Sequence, residues 1–268
     1  MGFESLCGSN ILPSPEALVP YHRALASLDP GAPPAASQVC GPPLAGARRL
    51  VALPGSFNPP HRAHEALLRA ASLAWRANSA ACVLSARTVD KEDVSGLWLE
   101  DRLWLLCRLS ASHTAVVATN RGLYVDQAIA LRALIAPEGA LAFVTGYDKI
   151  VQIFDPRYYV DRDAALDELF ANASFLVAPR GAATADDVAA LLARPENAPY
   201  AARVTTLPLS QELAEVSSTR ARERGDLTDV PELAQQLIRE SGCYATPVPA
   251  AYAARGAAIR AAASAPAP

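Results

Sequence analysis

Two of the chain's four histidines, His61 and His64, stand three residues apart in the run Gly55-Ser56-Phe57-Asn58-Pro59-Pro60-His61-Arg62-Ala63-His64. At that spacing two imidazoles share one face of a first helical turn. A helix amino terminus offers unbonded N–H groups and the positive end of a dipole, so ring donors above it suit a polyphosphate. Gly55 lets the backbone approach such a ligand closely. Taken alone, the run reads equally as an ordinary strand-to-helix loop with a structural histidine pair. Lysine is scarcer still: of 24 basic residues, Lys91 and Lys149 are the two lysines. Far along the chain lies Val216-Ser217-Ser218-Thr219-Arg220-Ala221-Arg222. Its hydroxyls suit a helix cap or a phosphate, with Arg222 one turn on to supply charge.

Positioning these groups falls to an alternating framework. Apolar runs at Leu50–Leu53, Ala81–Leu84, Ala115–Ala118, Leu141–Val144, Phe175–Ala178 and Val204–Leu207 read as buried strands. Leu67, Leu68, Ala71 and Trp75, then Leu99, Leu103 and Leu106, recur at helical spacing between them, and Val125–Ile135, Ala164–Phe170, Asp186–Leu192 and Pro231–Arg239 continue the set. The expected fold is α/β, a Rossmann-like parallel sheet with helices on both faces. Such sheets bind ligands beyond the carboxyl ends of their strands. The histidine loop, Thr88–Lys91, Gly146–Lys149 and Pro179-Arg180 all follow strands. Neither GxxxxGK[ST] nor GxGxxG occurs.

The run from Gly55 to His64 resembles the GxFxPxHxGH signature of the HxGH nucleotidyltransferases, closest to the nicotinamide/nicotinate mononucleotide adenylyltransferases, with Ala63 in the place of the family's second Gly. Residues 216–222 resemble that family's ISSTxxR segment. The resemblance implies adenylyl transfer from ATP to a pyridine mononucleotide, releasing pyrophosphate. It places Gly55, Ser56, Phe57, Ser217, Ser218 and Thr219 at ATP, and His61, His64, Lys91 and Arg222 on the phosphates. It puts Gly146 and Asp148 at a ribose, where a carboxylate accepts from a diol, and Arg180 near the bound nucleotide, while Arg102 resembles a family helix arginine. Trp98 or Trp104 is the candidate to stack on a pyridine ring. Mg²⁺ is expected to arrive on the ATP phosphates rather than in a cage of protein ligands. The alternatives are another acceptor, or an ATP-binding or ATP-hydrolysing regulatory protein without transfer.

The chain has 268 residues, a net charge of −3 and 51% hydrophobic residues, enough apolar material for a full core. That charge, with no Lys/Arg cluster, argues against nucleic acid, and no apolar stretch reaches about 18 residues, so no membrane span is expected. The five cysteines form no CxxC pair and read as free thiols of a reducing compartment, Cys82 and Cys107 being small buried hydrophobes. With no basic and apolar leader, the expected location is the cytoplasm, with the nucleus as a second possibility. Residues 1–47, with eight prolines, read as an irregular extension, 48–244 as the nucleotidyltransferase domain, and 245–268 as a loosely attached Ala/Pro-rich tail.

Overall fold

A computed structural model describes residues 11–87, 96–179, 181–208, 216 and 218–265. Six apolar runs become parallel strands, five of them buried from both sides and β7 only partly covered at an edge. In β2 (Arg49–Pro54), Leu50 and Ala52 enter one core, while Val51 and Leu53 enter the other. The same alternation holds in β3 (Ser79–Ser85), β4 (Thr114–Thr119), β5 (Ala140–Gly146) and β6 (Ser174–Ala178), and β7 (Val204–Thr206) closes one edge. Period-2 side-chain direction thus divides one continuous apolar run between two cores.

One face is covered by α2 (Arg62–Ala74) and α3 (Leu99–Leu109), through Leu68, Ala71, Leu103 and Leu106. The other is covered by α4 (Tyr124–Arg132), α5 (Tyr147–Phe154), α6 (Arg162–Asn172) and α7 (Ala185–Leu192). The sheet order is β1-β4-β3-β2-β5-β6-β7. From β2 the chain winds outward through β3 and β4, then returns to place β5 on the opposite side of β2. That reversal makes the carboxyl end of the β2/β5 pair the topological switch point, where such sheets bind nucleotides.

The two flanking segments are part of the fold. From the Pro-rich stretch come α1 (Pro15–Ala26), capped by Ser14 with Pro15 at its first position, and β1 (Ala36–Cys40), paired antiparallel with β4. A boundary at residue 47 would cut this strand from its sheet. Beyond α8 (Ser218–Arg224) and α9 (Glu232–Ser241) lie α10 (Ala250–Ala253) and α11 (Arg255–Ser264). Instead of trailing loosely, residues 250–264 build a third layer. Leu18, Ala221, Leu237, Tyr252 and Ile259 pack on Trp104 and Leu105, on the side of α3 away from the sheet. The Arg255–Asp101 ion pair, 3.0 Å long and with side chains 6% and 0% exposed, locks it there.

The cysteines also depart from expectation. Cys40 and Cys107 form a disulfide with a Cα–Cα distance of 6.0 Å, tying β1 to α3. Their separation of 67 residues matches no local motif, so only the packing of α3 beside β1 reveals the pair. Cys82 and Cys243 are buried free thiols, and burial pushes Cys82 up to about 12 and Cys243 to about 11.

Candidate functional site

The histidine loop leaves β2 at the switch point. In the β2/β5 ladder Ala52 faces Phe143, and three residues beyond that pair on each strand come Gly55 and Gly146. Both glycines therefore lie beyond that pair, toward the carboxyl edge of the sheet. Gly55 N–H donates to Val83 O at 3.0 Å. A methyl at Gly55 would stand 3.1 Å from the ring of Phe57, whose backbone is left-handed at φ 47°. That turn sends the Phe57 ring into the core, fully buried and 4.8 Å from the His64 ring. Only its backbone is left to face a ligand.

His61 caps α2 and stacks on His64, their centroids 3.6 Å apart and their planes 15° from parallel. The His61 backbone N–H donates to His64 Nδ1 at 3.1 Å. With Nδ1 accepting, the neutral His64 ring carries its hydrogen on Nε2 and can donate there. Ala63 is buried, its methyl turned into the fold.

The second motif meets this loop directly. Ser218 Oγ donates to Pro59 O at 2.9 Å, and Arg222 Nη1 donates to Asn58 O at 2.9 Å. Arg222 Nη2 also reaches Thr219 Oγ1 at 3.4 Å, and Thr219 is exposed. Segments separated by 159 and 164 residues in the chain therefore share one loop. On the loop's other flank, the Arg102 guanidinium donates to Leu97 O at 2.8 Å and to Ser56 O at 3.4 Å. Arg102 is 2% exposed, and burial, with Arg222 nearby, lowers it to about 10. Among the described residues no carboxylate pairs with it, and it lines the cavity beside Ser56. Composition gave no hint that this one arginine would be buried.

Beside Gly55 and Ser56 opens a cavity of about 260 Å³, walled by Tyr124, Tyr158 and Tyr159 and carrying Arg87, Arg102 and Lys149. Among the described residues no carboxylate lines it. Lys149 Nζ donates to Gln152 Oε1 at 2.8 Å on the exposed first turns of α5. Burial pushes Tyr124 and Tyr159 up to about 12, so both stay protonated and neutral. Asp148 is exposed at the start of α5 and acts electrostatically on Tyr124. Neither tryptophan lines the cavity: Trp98 Nε1 donates to Tyr252 O at 3.1 Å, and Trp104 is buried in the outer layer.

Gly55, Ser56, Phe57, His61, His64, Ser218, Thr219 and Arg222 thus gather on or against one loop, with Gly146 and Asp148 on the adjoining strand end. Lys91, Arg180 and Ser217 lie outside the described residues. Among the described residues no group of three or more His, Cys, Asp or Glu is placed to hold a metal ion. Nor is any described helix long and apolar enough to cross a membrane.

Among solved structures, nicotinic acid mononucleotide adenylyltransferase of Plasmodium falciparum, complexed with NaAD, aligns over 74% of this chain and 97% of its own, at TM-score 0.52 and 17% identity. The same protein complexed with APC aligns over the same shares, at TM-score 0.51 and 18% identity. At such identity the likeness is one of fold. No curated protein matches in sequence. The cytidylyltransferase-like family matches residues 52–224, a span running from the middle of β2 to the last residue of α8 and enclosing both motifs. With its two signature segments joined at the switch point of a doubly wound sheet, this chain belongs to the cytidylyltransferase-like family of nucleotidyltransferases.

Proposed function

We propose that the protein transfers an adenylyl group from ATP to nicotinate or nicotinamide mononucleotide, giving NAD or its deamido form. What carries the reading is the junction of the two motifs, Ser218 on Pro59 O and Arg222 on Asn58 O, beside a cavity with tyrosine walls and cationic side chains. Imidazole N–H, hydroxyl and guanidinium groups recognise phosphate, and a cavity carrying Arg87, Arg102 and Lys149 between tyrosine walls suits an anionic acceptor with a flat ring.

In the reaction, an oxygen of the acceptor's 5′-phosphate attacks the α-phosphorus of ATP. The α–β P–O bond breaks and its electrons leave with pyrophosphate. No covalent enzyme intermediate is needed, so the chain's work is alignment and charge neutralisation. His61, His64 and Arg222 hold the triphosphate, Lys91 follows the leaving charge, and Ser217, Ser218 and Thr219 hold the phosphate end in place. Gly146 and Asp148 take the adenosine ribose, and Arg180 the bound nucleotide. Arg102 keeps the Ser56 carbonyl turned away from the phosphates, and Lys149 with Arg87 draws in the acceptor. Mg²⁺ comes with ATP, supplying further charge neutralisation, since the loop offers donors for phosphate rather than carboxylates for a resident cation.

The test mixes ATP with each mononucleotide and measures dinucleotide and pyrophosphate. Equimolar formation of both is expected, and His64→Ala should abolish it while circular dichroism and melting remain close to those of the parent. Near-normal turnover by His64→Ala, or no product from either acceptor, would overturn the proposal.

A further inference from the structure

The family match ends at residue 224, yet the chain that follows returns to the histidine loop. Gly242, left-handed at φ 60°, ends α9 and turns the backbone so that Tyr244 comes back toward β2. Its Oη donates to Asn58 Oδ1 at 2.9 Å, and Leu97 N–H donates to the same oxygen at 3.1 Å. Asn58 is 1% exposed, and its own main-chain oxygen receives Arg222. The Tyr244 ring is pinned as well. Gly96 sits at φ 117°, and a Cβ there would collide with the ring and lie 2.8 Å from Asn58 Oδ1. Tyr244, Gly96 and Asn58 are packed with no room for a methyl group.

We propose that Tyr244 is a positioning residue for the triphosphate, acting through Asn58. Its hydroxyl fixes the Asn58 side chain, which fixes the Asn58 main-chain carbonyl, the anchor on which the Arg222 guanidinium is aimed. This inference rests on the ATP-binding reading of the loop. Tyr252, in the same outer layer, provides the contrast. Its hydroxyl donates to Asp101 Oδ2 at 2.9 Å and accepts from Trp98 N–H at 3.1 Å, holding α3 and not the loop.

The full-length chain is titrated calorimetrically with a non-hydrolysable ATP analogue and with AMP, which lacks the β- and γ-phosphates. Tyr244→Phe keeps the ring against Gly96 and removes only the hydroxyl. It should weaken the ATP analogue about five- to tenfold, the effect of one hydrogen bond, and leave AMP within about twofold. In an Asn58→Ala background, Tyr244→Phe should change neither, because the intermediary is gone. Tyr252→Phe should lower the melting temperature without producing the split between the two nucleotides. Equal weakening of both nucleotides by Tyr244→Phe, no weakening of either, or the same split in Tyr252→Phe overturns the inference. Failure of the parent chain to bind the ATP analogue overturns the ATP-binding reading, and the inference with it.

Discussion

Replacing Arg222 is the sharpest perturbation of the junction between the two motifs. Two of its five N–H donors are engaged internally, on Asn58 O and Thr219 Oγ1, which leaves three and the full charge for phosphate. Arg222→Ala removes a donor aimed where charge develops, a loss that costs about 10²–10³ in kcat in comparable oxyanion sites. It also deletes one charge-assisted hydrogen bond to the loop, worth about 1.5 kcal/mol at a half-exposed position, or a melting point lower by about 3–6 °C. Arg222→Lys keeps the charge, but a single ammonium cannot bond Asn58 O and a phosphate with fork geometry, so an intermediate loss of about tenfold is expected. Steady-state kinetics with varied ATP, alongside thermal melting, separates the two effects. A kcat/KM for Arg222→Ala within tenfold of the parent, or Arg222→Lys matching the parent, would refute the assignment of Arg222 to the phosphates.

Two further outcomes follow from the same structure. The Cys40–Cys107 bridge closes a loop of 67 residues, and loop-closure entropy then gives about 4.4 kcal/mol at 25 °C as the stabilisation that reduction, or a Cys40→Ser/Cys107→Ser double variant, should remove. Denaturant unfolding with and without reductant measures it, and coincident curves would count against the bridge. On the proposed reading, Lys149→Gln should raise KM for the mononucleotide about three- to tenfold and leave KM for ATP unchanged, since Lys149 lines the tyrosine-walled cavity and its hydrogen bond is to Gln152 of the same helix. An unchanged acceptor KM would remove Lys149 from that cavity's role.

What could be read from the sequence follows from how each feature is encoded. Five of the six parallel strands were legible because burial on both faces demands continuous apolar runs, as in Ala81–Leu84 and Ala115–Ala118, whereas the edge strand β7, Val-Thr-Thr, is only partly buried. Strand β1 was not: Ala-Ser-Gln-Val-Cys is half-buried throughout, an edge strand with neither an apolar run nor a clean alternation. The loop from Gly55 to His64 was legible because its chemistry is contiguous, and Ser218 to Arg222 for the same reason. Arg102 was marked only by its likeness to a family helix arginine, without its burial or its contact with Ser56, and Tyr244 acts through a single long-range contact, to Asn58, that no local pattern marks. Helix α11 did carry a signal: its Ala-rich run is low in complexity, but alanine is also the strongest helix former.

The outer layer over α3 also orders events during synthesis. Helix α1 is made before the sheet it flanks, yet its partner α11 and the Arg255 side chain that reaches Pro13 O are made more than 200 residues later. At the elongation rates of cells, about 5–20 residues per second, the completed sheet has roughly 2–10 seconds between the synthesis of β7 and that of Arg255 before that layer can close. A chain stopped short of residue 244 would hold both phosphate motifs and still lack the hydroxyl on Asn58 and the clamp on Asp101. The segment carrying Tyr244 is therefore made after both motifs and completes the hydrogen bonding of the histidine loop.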